Sequence, residues 1–375
     1  MNLFPIRPFR TPGRHVLASG RTSAVLLLAA GILGGCTIVG PASISSGRIA
    51  YNEAIRTTDN QQMLMIAIHN RYEERGSLLA VASVTANVSV TTSVGIEAGF
   101  GEESDYSGNL VPFTGGAIYE ENPTISYTPV QGQAYARHLM APVPIPVLAQ
   151  YARTISDPRG LYTTVISGIN GIFNPDFAGS GTSLDPRFGR VVDLLAELQH
   201  AHRLDWVEDR EDAGRFLLVI DHYAPDYTGQ VEELLGLLGL RDFATSPDRV
   251  VVPVSQALDG DANGGIGLTT RSVWDMVEIL SAAIEIPEVD QNNGYASVYP
   301  AAGRPGENLL VSYSNGRPDR ASVAVKYRDG WFSINDNDLA TKRYFRIMTS
   351  LWSVAIAETA AATAAAPVLT VPVSR

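Results

Sequence analysis

The period of the apolar positions changes several times along this chain, and each change predicts an element. Between Arg48 and Tyr72, residues Ile55, Met63, Leu64, Ile66, Ala67 and Ile68 make one broad apolar face, interrupted by Asn60, Gln61 and Gln62. That is a helix, which Gly76 would end. From Leu78 to Ile96 the period falls to two, with Val84, Ala86, Val88 and Val90 alternating with other residues, as in a half-buried strand or hairpin. Residues 99–117 are rich in Gly, Ser and acids and predict a loop. A strand over Ile125–Pro129 would stop at its proline, and a helix follows over Gln131–Met140. Pro142, Pro144 and Pro146 would break it before another helix at Val147–Ile155. Val165, Ile166, Ile169 and Ile172 continue helical spacing to Phe173.

The second half alternates more regularly. Helices are predicted at Phe188–His202, at Thr228–Leu240, from a Thr270 cap to Ile284, and from an Asp338 cap through Leu339 to about Ala361. Strands are predicted at Phe216–Ile220, Arg249–Val254, Leu309–Tyr313, Ala321–Tyr327, Trp331–Ile334 and Val368–Val373, with Asp329–Gly330 as a hairpin turn. Helices mixed with antiparallel hairpins make the fold class α+β. The Gly, Ser, Pro and Asp run 174–185 is the expected boundary between an N-terminal domain, 48–174, and a C-terminal domain, 186–375.

The first residues have a different grammar. A basic flank, Met1–Thr22, precedes a short apolar stretch, Ser23–Leu33, that closes in Leu33–Gly34–Gly35–Cys36. Basic flank, short apolar run and small residues before a cut site are the marks of a secretory signal. The last four residues resemble a bacterial lipobox, with cleavage between Gly35 and Cys36 and diacylglycerol on the Cys36 thiol. The segment 1–35 is then a removable signal and 36–47 a lipidated tether. A membrane-spanning helix over 23–39 is the competing reading, but the run is short and broken by glycine. An ordinary signal with an incidental cysteine is the other. Thr37, where some lipoproteins carry Asp, implies by resemblance forwarding to the outer membrane.

Charge narrows the partners. The formal net charge is −11, and residues 1–35 hold four arginines and no acid, so the rest carries 24 basic against 39 acidic groups. Such a surface repels phosphate backbones, which argues against nucleic acid as a partner. Membrane contact must then come from the N-terminal lipid. Cys36 is the one cysteine, so no intrachain disulfide forms.

Signatures of chemistry are few. The chain has no G-x-S-x-G, S-x-x-K, H-E-x-x-H or Walker sequence. Asp336 and Asp338, in Asn335–Asp338, could form a carboxylate site, although an Asp before a helix ordinarily caps it. Asp259, Asp261 and Asn263 copy the first half of a calcium loop, but Thr270 stands where a bidentate Glu is needed. A loop leading into a helix is the plainer reading. His200, His202 and His222 could in principle share a metal, yet residues two apart diverge on a helix. No cofactor is expected.

Tyr51–Ile55, Asn60–Leu64, Arg71–Tyr72, Ala82–Thr85, Ile125–Pro129, Thr270–Val273 and Trp331–Ile334 with Asp336 and Asp338–Leu339 together resemble a group of uncharacterised proteobacterial lipoproteins of the outer-membrane type. The likeness covers most of residues 50–355 and departs at Ile66–His69. It implies an envelope lipoprotein and brings no activity. The leading expectation is a non-enzymatic scaffold or accessory of an envelope assembly, with protein partners in the envelope. The alternative is an envelope hydrolase or ligand binder with a carboxylate-lined site, and a solute-binding module ranks below both.

Overall fold

A computed structural model describes residues 48–85, 88–96, 113–121, 124–130, 133–176, 185–212, 214–244, 246–258, 264–299, 309–362 and 369–372. Gly35, Cys36 and the loop residues Asp259, Asp261 and Asn263 lie outside them. The fold is α+β with largely antiparallel sheets. The described residues fall into two compact units, one holding 56–84 and 125–371, the other holding a hairpin.

Helix α1 covers residues 48–71. Its buried face, Met63, Leu64, Ile66, Ala67 and Ile68, is the apolar stripe of the sequence. Gly76 does not end it. Glu73 adopts the left-handed conformation, φ 55°, and Glu74 N–H reaches back to His69 O at 2.7 Å, so a Schellman turn closes the helix earlier.

Strands β1 (Leu78–Thr85) and β2 (Val88–Ile96) follow each other without pairing. β2 pairs in full register with β3 (Phe113–Glu121), from Val88↔Glu121 to Ile96↔Phe113. The predicted loop 99–117 therefore ends by Phe113. β1 joins β4 (Thr124–Val130) and, near the C-terminus, β14 (Leu369–Pro372) in the order β1-β4-β14. β4 runs through Pro129 rather than stopping at it, since the proline removes only one donor.

Helices α2 (Gln133–Met140), α3 (Ile145–Thr154) and α4 (Pro158–Val165) follow. Pro146 sits in the first turn of α3, where no intrahelical donor is needed, so it starts a helix instead of breaking one. The helical spacing expected to run to Phe173 ends at Val165. β5 (Ile166–Ile169) and β6 (Ile172–Phe173) form a hairpin about Asn170–Gly171, with φ 46° and 73°. An Asn-Gly pair at positive φ is a hairpin turn, and it overrides the coincidence of apolar spacing.

That hairpin decides the domain organisation. After α5 (Pro186–His200) come β7 (Leu204–Glu208), β8 (Phe216–Asp221), α6 (Thr228–Leu238), β9 (Arg249–Gln256) and β10 (Ile266–Thr270). The six strands order as β6-β5-β10-β9-β8-β7, antiparallel except for β9–β10. Strands from before and after 177–184 share one sheet, so the expected division into 48–174 and 186–375 is wrong. A sheet cannot be cut between hydrogen-bonded strands without exposing their backbone groups. Thr270 ends β10 instead of capping a helix. Ser272 caps α7 (Val273–Ala282), with Asp275 N–H on Ser272 Oγ at 3.1 Å and Ser272 N–H on Asp275 Oδ2 at 2.8 Å.

After the short α8 (Glu288–Asn292), β11 (Ser312–Ser314), β12 (Ala321–Tyr327) and β13 (Gly330–Asn335) form a sheet of order β11-β13-β12. The two-residue turn is Arg328–Asp329, with Arg328 at φ 50°, one residue earlier than the Asp-Gly reading. Gly330 opens β13, and a Cβ there would strike the Tyr313 ring. Helix α9 (Leu339–Ala362) buries Tyr344, Met348, Leu351 and Trp352 and packs against α2, α4 and α7.

One side chain joins these parts. Arg271, 1% exposed, lies between β10 and α7. Its Nε donates to Asp176 Oδ1 at 2.5 Å, and its NH1 to the carbonyls of Thr163, Thr164 and Ile166 at 3.3, 3.1 and 2.9 Å. Its NH2 donates to Asn174 O. The guanidinium thus satisfies carbonyls left free at the C-terminus of α4, where a cation also suits the helix dipole. Replacing Arg271 with leucine should cost about 3–5 kcal/mol in urea unfolding, because the carbonyls and Asp176 lose their buried partner. Asp176→Asn keeps an acceptor for Nε but takes the counter-charge from the buried guanidinium, and should cost less, about 1–3 kcal/mol.

Candidate functional site

The carboxylates singled out by sequence are engaged in local structure. Asp338 accepts from Thr341 N–H at 3.0 Å and from Thr341 Oγ1 at 2.5 Å, which makes it the cap of α9. Asp336 is 63% exposed, and Lys342 Nζ pairs with it at 2.5 Å, an interaction that holds its carboxyl below the usual range. The two do not converge on a cavity among those described. The histidines separate too. His222 sits 3.5 Å from Asp248 and 3.8 Å from Asp221, while His200 and His202 line a different surface cleft. Among the described residues no group of three His, Cys, Asp or Glu side chains could hold a metal.

The cleft beside His200 and His202 has a volume of about 520 Å³ and runs along β7, an edge of the six-stranded sheet. That edge is already occupied. Arg153 forks onto Asp205 at 2.8 and 3.0 Å and donates to Trp206 O at 2.5 Å, while Trp206 N–H is taken by Asp205 Oδ1 at 2.8 Å. Both outward groups of Trp206 are thereby satisfied.

A second constellation gathers at the end of α1. Arg328 lies 4.3 Å from the Tyr72 ring centre, 5.3 Å from Tyr327 and 5.5 Å from Tyr295. It pairs with Glu74 at 3.1 Å and Asp290 at 3.7 Å, and Tyr72 hydroxyl donates to Asp290 at 2.6 Å. This is an aromatic cage whose cation is the protein's own arginine, and it ties α1, α8 and the β12–β13 turn together. Burial, followed by hydrogen bonding to Glu74, pushes the Tyr327 hydroxyl up to about 12. Burial, followed by the hydrogen bond to Glu278, does the same for Tyr299, also to about 12.

The third constellation is the candidate site. A cleft of about 450 Å³ lies between α1 and β12. Arg56, Thr57, Asn60 and Gln61 come from one face of α1, Arg317 and Asp319 from the loop before β12, and Ala321–Ala324 complete the lining. Gln61 Nε2 donates to Ala324 O at 3.2 Å, and Arg317 is held over the Trp331 ring at 5.5 Å. The chemistry on offer is amide hydrogen bonding, backbone pairing and positive charge. Asn60 and Gln61 read in the sequence only as polar interruptions of a helix, and nothing in their spacing placed β12 beside them.

These features define an α+β body with surface clefts built for hydrogen bonding and charge. No protein-family profile, curated protein or solved structure matches the chain.

Two outcomes follow from this geometry. Asp338→Ala should cost about 1 kcal/mol of thermal stability through the lost cap, and Asp338→Asn should keep most of it. Tyr299 and Tyr327 bind their protons more tightly folded than unfolded, where tyrosine titrates near about 10. Their contribution to stability is therefore complete below about pH 10 and is lost as pH rises towards about 12. Ultraviolet titration of tyrosinate should show these two groups lagging together with Tyr72, Tyr162 and Tyr344, which burial pushes up further, with unfolding across that interval.

Proposed function

We propose that this chain is a lipoprotein of the bacterial envelope, held on the outer membrane by acyl chains on Cys36, and that its α+β body serves as a scaffold or accessory in an envelope assembly. The observation that carries this is the basic flank and short apolar run closing in Leu33–Gly34–Gly35–Cys36. One acyl chain, at about 0.8 kcal/mol per buried methylene, binds only marginally, whereas several on one residue hold durably. Residues 37–47 could span at most about 35–40 Å between the lipid and the start of α1.

The segment likeness to proteobacterial lipoproteins supports this reading, as does the acidic balance that leaves the lipid as the means of membrane contact. Among the described residues no helix is long and apolar enough to cross a membrane. The alternative of an envelope hydrolase or ligand binder with a carboxylate-lined site gains nothing from Asp336 and Asp338, since one caps a helix and the other pairs with Lys342. Replacing Cys36 by serine should abolish labelling with radioactive palmitate and leave the uncleaved precursor on gels. Unchanged labelling and processing would overturn the proposal.

A further inference from the structure

An exposed sheet edge is a template for another strand, and proteins blunt such edges with short strands, charged groups or covering side chains. Of the four edges of the six-stranded sheet and the β11-β13-β12 sheet, three are blunted. β6 is two residues long. On β7, Arg153 and Asp205 occupy both outward groups of Trp206. β11 has three residues, and its Tyr313 N–H is taken by Glu285 Oε2 at 2.9 Å.

β12 is treated differently. It is seven residues long, and the side chain that reaches its outer edge among the described residues is Gln61, at Ala324 O. Because Ala324 O points away from β13, its N–H does as well, and by alternation so do the groups of Lys326. A bulge between Ala321 and Val323 is confined to one end and leaves Val323–Tyr327 in regular register with β13. The edge opens into the 450 Å³ cleft, large enough for a ligand site.

The charge there is the reverse of the chain's. Arg56 and Arg317 line the cleft with one acid, Asp319; around it, Lys326 lies on β12, and Arg320 directly precedes the strand and faces Asp336. The whole chain carries −11. Stacking on Trp331 holds the Arg317 guanidinium in place before anything binds. A basic segment would be repelled locally, and an acidic extended one attracted.

We propose that the open edge of β12 is a docking site for an extended, acidic segment of another protein, which adds as a strand within the α1–β12 cleft. Backbone pairing, with the added strand replacing Gln61 at Ala324 O, would supply affinity, and the arginines would select the charge. This deepens the scaffold reading and does not depend on the lipid anchor.

The test uses the full chain in detergent and fluorescent octapeptides followed by anisotropy. A peptide of alternating Val and Glu should bind saturably. Its Val/Lys counterpart, and a Val/Glu peptide N-methylated on alternate amides, should bind at least about tenfold more weakly. Ala324→Pro removes an outward N–H that belongs to no ladder bond, so it should weaken binding at least tenfold with the melting midpoint kept. Arg317→Glu should also weaken binding at least tenfold, and it stands in if the proline variant does not fold. Absence of saturable binding, equal affinity for the Glu and Lys peptides, undiminished binding of the methylated peptide, or unchanged affinity in the folded variants would overturn the proposal. So would sedimentation showing that a second copy of the chain occupies the edge. None of these outcomes bears on palmitate labelling at Cys36, so the two readings fail separately.

Discussion

The guanidinium of Arg271 is the interaction on which the larger unit depends. A charge 1% exposed is costly unless every donor is used and a counter-charge lies close. Here the donors reach four carbonyls and Asp176, drawn from α4, β5 and the segment after β6. The backbone on either side is engaged as well. Arg271 N–H bonds Val165 O at 2.7 Å, Val143 N–H bonds Arg271 O at 3.0 Å, and Thr270 Oγ1 bonds Val143 O at 2.7 Å. Residues about a hundred positions apart are thus locked at one point. That point is where β10 hands over to α7, so the sheet and the helical layer around α9 are oriented by the same residue.

A second buried chain of polar contacts repeats the logic. Trp206 Nε1 donates to Tyr162 hydroxyl at 2.7 Å, Tyr162 hydroxyl donates to Gln199, and Gln199 Nε2 reaches Ala152 O at 2.6 Å. It ties α3, α4, α5 and β7 together. Both networks use polar groups with no partner to spare, which gives a core one arrangement rather than several. The Arg328 cage holds the C-terminal end of α1 against the β12–β13 turn, and the 450 Å³ cleft lies between the same helix and β12.

Periodicity made the strongly amphipathic elements legible. The stripes of α1 and α5, the strand Ala321–Tyr327 and the Asp338 cap appear in the structure where the sequence placed them, and with them the α+β class. The failures share a physical cause, which is that periodicity reports which face is buried and says nothing of the partner. Val165–Ile172 has helical spacing by accident, and only Asn170–Gly171 betrays the hairpin. β7 and β10 do not stand out in the sequence because Asp205 and Glu208 interrupt the one and Gly267 the other. The linker 174–185 looked like a domain boundary because its composition is a loop's, yet Asn174 and Asp176 within it hold Arg271. Arg271 itself resembled any other arginine next to a cap. The cleft was illegible for a simpler reason: Gln61 and Ala324 are 263 residues apart.

We propose that a lipid at Cys36 holds an acidic chain whose β12 edge is basic. The intact mass of the mature chain, purified from membranes in detergent, tests the lipid most directly. The predicted result is a polypeptide that begins at Cys36 and is heavier than its sequence by a diacylglycerol and an amide-linked acyl chain. A chain beginning anywhere else, or one beginning at Cys36 with the bare sequence mass, would contradict it.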